Sequence, residues 1–355
     1  MNAVRPDPTF AFDAYVRALD ADHTPELSFR PTSEFRGWRE RLLAKVRDLL
    51  GPLPERVPLE PEIVESEEFD SYSQHRVLYR SSAAAAIPAF LLIPRGATAD
   101  TPRPAVLALH GHGDGKDQLV ARGPEQNIYR SFARRFAERG FVVLAPDAIG
   151  FGERDVDFRR HGGRGANPSS SDGCRDGCNV NFLKTSLFGI NLMALNIFDD
   201  MRALDFLESR PDVDGSRIGC AGLSFGGTRT MYLAALDERV RAAVVSGYLC
   251  TFRAFALYTG KLCGSQFLPS IYAYADLADL HGLIAPRPLL IEAGRGDRAF
   301  PIEASREAHG HLERIYAAAG APEGLERDEF DGGHQFHAVA SLEFMDRCLG
   351  MPAQS

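Results

Sequence analysis

The amino-acid sequence predicts an α/β protein in which helices cover both faces of a mostly parallel central sheet. Short apolar segments bounded by polar residues alternate with longer segments whose apolar residues have helical spacing. Several of the short segments end directly in glycine-rich turns that carry polar side chains, which is typical of the carboxyl edge of a parallel sheet. The predicted buried strands are Ala105–Leu109, Phe141–Ala145, Arg217–Ala221, Val240–Ser246 and Arg287–Ala293.

Length and composition limit the classes of function. The 355 residues are enough for one α/β domain with insertions, whose core needs no disulfides. A net charge of −8 and the lack of a Lys/Arg-rich run argue against a nucleic-acid partner. The sequence contains neither an apolar run of about 18 residues nor a basic-then-apolar leader, so we expect a cytoplasmic protein that does not insert into a membrane.

Six scattered cysteines are expected to be reduced thiols. Cys174 and Cys178 are spaced for either a loop disulfide or half of a metal site, and the sequence does not decide whether they pair. Because no second Cys/His pair of matching spacing lies nearby, we expect no metal.

Residues 1–60 are predicted to form a helical extension, and residues 61–355 the main domain. Phe35–Leu50 has apolar residues at helical spacing and ends at Gly51-Pro52. We expect this helix, which carries the single tryptophan Trp38, to pack on the outside of the core. The alternatives are a wall of a substrate pocket or an interface in a homo-oligomer.

The first strands are predicted at Arg76–Tyr79 and Ile87–Leu92, paired antiparallel through a connection at Ser81–Ala86. The next strand, Ala105–Leu109, leads into the glycine-rich loop His110–Lys116. This loop lacks the spacing and the ending of a phosphate-binding loop. It fits a loop that donates one backbone N–H to an oxyanion.

We expect the oxyanion donor of this loop to be the N–H of His112, with Gly113 as the alternative. His110 is expected to be a structural hydrogen-bonding residue. No carboxylate-rich partner motif accompanies the two histidines, which argues against a metal at this loop.

Two long segments are predicted to cover the pocket. Residues 155–185 begin with a polar, Gly/Ser-rich stretch that is too long for an ordinary connection, and a single long helix is predicted over Phe182–Arg210. Residues 247–280 are rich in aromatic side chains. The alternatives are a surface excursion for the first segment and ordinary core for the aromatic residues of the second.

The segment Gly222-Leu223-Ser224-Phe225-Gly226 lies between a predicted strand and a predicted helix, Gly226–Leu236. A serine with glycine two residues before and two after it, at a strand-to-helix turn, is the pattern of a nucleophile elbow. The turn lifts the hydroxyl out of the sheet, and the helix N-terminus favours developing negative charge.

An acid and a base follow later strands. Asp297 lies in the turn after Arg287–Ala293, and His334 follows the Gly-Gly turn after a short strand at Asp328–Asp331. His337 competes with His334 for the role of base. The order Ser224, Asp297, His334 predicts a catalytic triad in which His334 activates Ser224 and Asp297 orients the imidazole. The N–H groups of Phe225 and of His112 or Gly113 would stabilise the oxyanion.

The chain resembles the α/β-hydrolase superfamily and, within it, bacterial esterases grouped with acetyl xylan esterases and dienelactone hydrolases. The matching segments are HGHGDGK (110–116), PDAIGFGERD (146–155), DDMRALDFLESRPDVDGSRIGCAGLSFGG (199–227), LIAPRPLLIEAGRGDRAFP (283–301) and GGHQF (332–336). The resemblance implies cofactor-free hydrolysis of a small-molecule carboxylic ester, with Ser224, Asp297 and His334 at the triad positions. Dienelactone hydrolases carry cysteine as nucleophile, so Ser224 argues against that activity.

We therefore expect a serine esterase that acts on small or medium acyl groups. A serine peptidase of the prolyl-oligopeptidase type uses the same triad order but usually carries a large propeller domain, for which about 75 N-terminal residues are too few. A C–C bond hydrolase with the same triad is a second alternative. A binding protein on the same scaffold would be expected to lack a member of the triad.

Overall fold

The computed structural model describes residues 12–121, 127–154 and 171–351, and for residues 171–176 the backbone alone. The described residues form a nine-stranded sheet of order β1-β2-β3-β5-β4-β6-β7-β8-β9. The strands are β1 (Glu62–Glu68), β2 (Tyr72–Ser82), β3 (Ala85–Pro94), β4 (Arg103–Leu109), β5 (Val142–Pro146), β6 (Val213–Leu223), β7 (Val240–Ser246), β8 (Leu289–Gly294) and β9 (Leu325–Phe330). β1, β2, β3 and β5 pair antiparallel, and every pair from β5 through β4 to β9 is parallel. The prediction of a mostly parallel sheet is confirmed.

Helices cover both faces of this sheet. They are α1 (Phe12–Ala21), α2 (Phe35–Leu50), α3 (Asp117–Val120), α4 (Phe132–Glu138), α5 (Ser171–Ser186), α6 (Leu192–Glu208), α7 (Phe225–Leu236), α8 (Leu277–Gly282), α9 (Ile302–Ala318) and α10 (Ala340–Cys348). Alternate residues of β4 belong to opposite cores: Leu107 and Leu109 pack with α2, α6, α7, α8 and α9, whereas Val106 and Ala108 pack with α3, α4 and α10. Successive side chains of a strand point to opposite faces of the sheet, and here both faces are buried. Of the helices described here, none is long and apolar enough to cross a bilayer.

Helix α2 has the predicted bounds. It packs in the core that contains Leu107 and Leu109, which we call the main core. Its buried residues Trp38, Leu42, Val46 and Leu50 recur every four positions, so they form one helix face. The Trp38 indole N–H donates to the carbonyl oxygen of Leu27 at 2.7 Å. The division into residues 1–60 and 61–355 stays a prediction.

The antiparallel edge of the sheet differs from the prediction in two ways. β2 and β3 are longer than expected, so residues 83 and 84 alone connect them. β1 was not predicted, because all its residues are exposed and it therefore lacks an apolar pattern. An edge strand of this kind has no buried face to leave a signal in the sequence.

The predicted covering segment 155–185 contains regular structure that the sequence did not indicate. Its last part is helix α5, whereas residues 155–170 lie outside the described part of the chain. The single helix predicted over Phe182–Arg210 is wrong: α5 ends at Ser186 and α6 begins at Leu192. The side chain of Asn191 accepts from the Met193 N–H at 2.8 Å, so it caps a new helix start.

The second covering segment, residues 247–280, consists of short helical turns followed by α8. The aromatic residues at its start, Tyr248, Phe252 and Phe255, are buried in the main core. Asp276 and Asp279 form a capping box at the start of α8. The segment is held at its start by these aromatic residues and at its end by Leu277 and Leu280 of α8, which lie in the same core.

Candidate active site

Ser224 lies at the sharp turn between β6 and α7. Its backbone angles are φ 60° and ψ −119°, a conformation that residues with a Cβ rarely adopt. The Ser224 N–H donates to the carbonyl oxygen of Ser246 at 2.9 Å, so the turn is fastened to the end of β7. Ser224 is half-buried among otherwise buried neighbours.

Two glycines make this turn sterically possible. A Cβ added to Gly226 would lie 1.9 Å from the carbonyl oxygen of Leu109, and one added to Gly222 would lie 2.3 Å from the carbonyl oxygen of Gly226. Both contacts are with backbone atoms, which side-chain rotation cannot move away. The geometry agrees with the close approach that the sequence pattern predicts.

His334 and Asp297 form a hydrogen-bonded pair at the ends of β9 and β8. The Nδ1 atom of His334 lies 2.7 Å from Oδ2 of Asp297. The other oxygen of Asp297 accepts from the N–H groups of Ala299 at 2.8 Å and Phe300 at 3.0 Å. The carboxylate is therefore held in one orientation, and its side chain is 2% exposed, against 27% for His334.

The imidazole of His334 lies over the ends of β6 and β7. A Cβ added to Gly247, the residue after β7, would lie 3.1 Å from Nδ1 of His334 and 3.1 Å from Leu223 Cδ1. The Phe300 ring stacks on the imidazole, with 5.5 Å between the two ring centroids. The structure thus brings His334 and Asp297 to the same sheet edge as Ser224.

The competing base, His337, belongs to a different pair. Its Nδ1 lies 2.5 Å from Oδ2 of Asp328, and its ring stacks on Phe330 at 4.3 Å. The His337 N–H donates to Glu292 at 2.9 Å. Asp328 lies within β9, opposite Glu292 of β8, so this pair lies along the strands and not at their carboxyl ends.

The loop after β4 is held close to the serine. A Cβ added to Gly111 would lie 3.1 Å from Ser224 Cβ. The hydroxyl of the buried Tyr129 accepts from the Gly111 N–H at 3.1 Å and donates to the carbonyl oxygen of His112 at 2.9 Å. Tyr129 therefore fixes the peptide groups on both sides of the predicted oxyanion donor, the His112 N–H.

His110 has a structural role in this loop. Its Nδ1 lies 2.7 Å from the carbonyl oxygen of Gly111, and its Nε2 accepts from the Ala148 N–H at 3.0 Å. Burial, with a further contribution from the Arg229 charge, lowers the pKa of His110 to about 4. His110 is therefore a neutral imidazole at physiological pH and joins the loops after β4 and β5.

An ionic network also joins these two loops. The ammonium group of Lys116 donates to Asp147 at 2.7 Å and to Glu153 at 2.6 Å, and Arg76 donates to Glu153 at 3.0 Å. The hydrogen bond from Arg76, together with that from Lys116, lowers the pKa of Glu153 to about 2. The loop that carries His112 is thus also anchored through Lys116.

The sequence did not indicate one cluster beside this loop. His112 Nε2 lies 3.1 Å from Cys263 Sγ and 3.7 Å from Cys178 Sγ. A hydrogen bond with Cys263, together with burial, raises the pKa of the Cys178 thiol far above its ordinary value. Cys178 is a free thiol, and the side chain of Cys174 lies outside the described residues, so the predicted alternatives for that pair are not resolved. The three residues come from distant parts of the chain, and no spacing rule could have found them.

This architecture, with a mostly parallel sheet, helices on both faces and a strand–serine–helix turn, defines an α/β hydrolase. Residues 10–332 match the model of the Abhydrolase family, and the chain belongs to that family.

Comparison with known proteins gives the same result. "Putative hydrolase YtaP" of Bacillus subtilis (strain 168) is 31% identical over 304 residues, which cover 83% of this chain and 93% of that protein. The solved structure of a "putative acetyl xylan esterase" from Bacteroides fragilis superposes with a TM-score of 0.73 at 20% identity, covering 92% of this chain and 84% of the other. A glucuronoyl esterase from Solibacter usitatus superposes with a TM-score of 0.63 at 17% identity, covering 91% and 96%. The predicted superfamily and fold are confirmed.

Proposed function

We propose that this protein is a serine hydrolase that cleaves carboxylic esters of small or medium acyl groups through an acyl-enzyme. The observation that carries the proposal is the placement of Ser224 at a strained strand-to-helix turn, beside a hydrogen-bonded His334–Asp297 pair at the same sheet edge. A serine hydroxyl becomes a nucleophile when a neighbouring base removes its proton.

In the first half of the reaction, the Ser224 oxygen attacks the ester carbonyl while Nε2 of His334 takes the hydroxyl proton. The tetrahedral intermediate then collapses, and His334 returns this proton to the departing alcohol. In the second half, His334 activates a water molecule that releases the acid and restores Ser224. Asp297 keeps the proton of the resting imidazole on Nδ1, so that Nε2 is the basic nitrogen.

The oxyanion would be held by the N–H groups of Phe225 and of His112, with Gly113 as the alternative to His112. Phe225 is the first residue of α7, and the first N–H groups of a helix have no acceptor within the helix. Such donors stabilise the charge that develops in the transition state. The Tyr129 contacts would keep the His112 peptide group in position.

Two observations support an ester as substrate. The structures that this chain superposes on include proteins described as acetyl xylan and glucuronoyl esterases. The N-terminal residues 12–60 contain the helices α1 and α2, not the strands of a propeller blade, so nothing described there favours the peptidase alternative. The active protein needs no cofactor in this mechanism.

The test is hydrolysis of p-nitrophenyl esters from acetate to octanoate by the wild type and by Ser224→Ala. We expect turnover of the short esters and a loss of kcat of at least about 10⁴-fold in the variant. Ser216→Ala, an exposed serine on the same strand β6, is the matched control and should keep wild-type kcat. Mass spectrometry after labelling with a fluorophosphonate should place the adduct on the peptide that contains Ser224.

A fluorophosphonate adduct on Ser224 without turnover of any ester would retain the serine mechanism and reject the ester substrate. Peptide and C–C bond substrates would then be tested. A Ser224→Ala variant that is as active as the wild type would reject the mechanism itself.

A further inference from the structure

His112, Cys178 and Cys263 bring three metal-ligating atoms to one place. Nε2 of His112 and the two sulfur atoms all lie within 4.8 Å of one another. His112 lies on the loop after β4, Cys178 on α5, and Cys263 just before the helical turn at Gly264–Gln266. The three residues therefore join the loop beside Ser224 to both covering segments.

The distances suit a tetrahedral ion with nitrogen and sulfur ligands. In tetrahedral zinc coordination, bond lengths of about 2.3 Å to sulfur and about 2.0 Å to nitrogen place these atoms about 3.5 Å apart. The two observed separations from His112 Nε2, 3.1 Å to Cys263 and 3.7 Å to Cys178, lie on either side of this value. Adjustments of a few tenths of an ångström would bring both of these separations to the ideal value, and the two sulfur atoms lie within 4.8 Å of each other.

Contacts other than the cluster itself hold the ligands together. The Gly264 N–H donates to the side chain of Asn179 at 2.8 Å, and the Phe182 and Phe267 rings meet edge-on at 5.4 Å. A Cβ added to Gly264 would lie 2.6 Å from the carbonyl oxygen of Cys178, so the turn presses directly against α5. The two sulfur atoms are thus brought together before any ion binds.

The surroundings also suit a soft divalent cation. Cys178 and Cys263 are each 3% exposed, and the His112 ring packs on the rings of Phe151 and Phe225 at 5.5 and 5.6 Å. An apolar shell weakens competition from water, and two thiolates neutralise the charge of one divalent ion. Thiolate and imidazole ligands together select zinc-like ions over magnesium or calcium.

We propose that His112, Cys178 and Cys263 form a binding site for one zinc-class divalent cation beside the proposed active site. On binding, two sulfur–metal bonds and one nitrogen–metal bond form, and each thiol releases its proton to solvent. Three protein ligands leave a fourth coordination position for water or another small ligand. Because the ion connects the His112 loop to α5 and to the second covering segment, its binding should stabilise these segments against local opening.

Cobalt(II) is the probe, because a tetrahedral cobalt–thiolate site absorbs in both the near-ultraviolet and the visible range. The full chain, reduced with a phosphine and freed of metal, is titrated with cobalt and then with zinc. We expect thiolate charge-transfer absorption that saturates at one equivalent and is displaced by zinc. Cys178→Ser and Cys263→Ser should each lower zinc affinity by about 100-fold or more, because a hydroxyl is a poor ligand for zinc.

Cys348→Ser is the matched control, because this cysteine lies on α10 and packs with the opposite core. It should bind cobalt like the wild type. Circular dichroism of each variant without metal distinguishes loss of a ligand from loss of the fold. Zinc should also raise the Tm of the wild type and of Cys348→Ser, and should leave that of the folded Cys178→Ser variant unchanged.

The proposal is overturned if the reduced wild type shows no thiolate charge-transfer absorption when cobalt is added. It is equally overturned if folded Cys178→Ser and Cys263→Ser bind zinc as tightly as Cys348→Ser. These readouts do not use ester hydrolysis, so the site can be judged whether or not the esterase proposal holds.

Discussion

His334 and His337 are three residues apart and share the same local contact, yet their surroundings differ. Each ring directs Nδ1 to an aspartate, at 2.7 Å for His334 and 2.5 Å for His337, and each stacks on a phenylalanine. The partner of His334 follows the end of β8, whereas the partner of His337 lies within β9. Only the imidazole of His334 lies over Gly247 and the end of β6.

A histidine–aspartate hydrogen bond therefore does not by itself distinguish the proposed catalytic pair from the second pair. What distinguishes His334 is its position at the carboxyl end of the parallel strands, where Ser224 also lies. His337 is instead joined through its N–H to the buried Glu292. We therefore expect the two pairs to differ in effect on rate, and the following predictions test that expectation.

Replacement of the two histidines should give the largest contrast. His334→Ala removes the proposed base, so kcat for a p-nitrophenyl ester should fall by about 10⁴-fold or more. His337→Ala removes a structural contact, so kcat should stay within about tenfold of the wild type. Steady-state kinetics of both variants, with circular dichroism as a check of folding, provide the measurement. A larger loss in folded His337→Ala than in His334→Ala would reverse the assignment of the base.

Replacement of the two aspartates by asparagine should give the next largest contrast. Asp297→Asn keeps the shape of the side chain but can hold the wrong tautomer of His334, so kcat should fall by about 10³- to 10⁴-fold. The loss should be smaller at high pH, where hydroxide can remove the Ser224 hydroxyl proton in place of His334. Asp328→Asn should change kcat little. Equal losses in both variants would mean that the two pairs are not functionally distinct.

Tyr129 provides a contrast between positioning and proton transfer. Tyr129→Phe removes the hydroxyl that contacts the Gly111 N–H and the His112 carbonyl oxygen, so the predicted oxyanion donor should be held less well. We expect kcat to fall by about tenfold, less than the loss of a whole oxyanion donor, with little change in KM. The pH at which kcat is half-maximal should stay as in the wild type. A shift of that pH in Tyr129→Phe would place the residue in proton transfer instead.

His281 extends the comparison to a buried histidine that contacts a backbone carbonyl. Its Nδ1 lies 2.7 Å from the carbonyl oxygen of Leu277, and burial lowers its pKa to about 4 from an ordinary value of 6.5. Between these two values the unfolded chain binds a proton that the folded chain does not, so stability falls as the pH drops below about 6.5. At pH 5 this lowers the free energy of unfolding by an amount on the order of 2 kcal/mol.

The test is urea unfolding at pH 8 and pH 5 of the wild type and of His281→Asn, whose amide can still donate to Leu277. The variant should lose less of its free energy of unfolding between the two pH values. An unchanged pH dependence would mean that His281 does not contribute to acid sensitivity.

The parts of the fold that the sequence predicted are those whose cause is local. β7 has the predicted bounds, Val240–Ser246, because every residue except Arg241 is buried and residues 242–245 form an apolar run. Helix α2 was found because its buried face repeats every four residues. β1 was missed because it buries nothing. Residues 171–181 of α5 were missed because their sequence, SDGCRDGCNVN, has few apolar residues.

In the candidate site too, the residues with a local sequence signal were predicted and those without one were not. Ser224 was predicted because the glycines that permit the elbow are its neighbours in sequence, and Asp297 and His334 because each follows a strand. The contacts of His112 with Cys178 and Cys263 join residues 66 and 151 positions apart. Such contacts depend on how the covering segments pack over the sheet, which local pattern does not encode.

The elbow also limits how this molecule can change over evolutionary time. Position 224 already carries a Cβ, whereas any side chain at Gly226 would collide with the carbonyl oxygen of Leu109. The backbone strain at Ser224, about 1–3 kcal/mol in comparable cases, remains whichever residue with a Cβ stands there. The turn therefore depends on the absence of a side chain at Gly222 and Gly226, and not on which residue with a Cβ occupies position 224. A change of side chain at position 224 therefore requires less rearrangement of this turn than a change at Gly226.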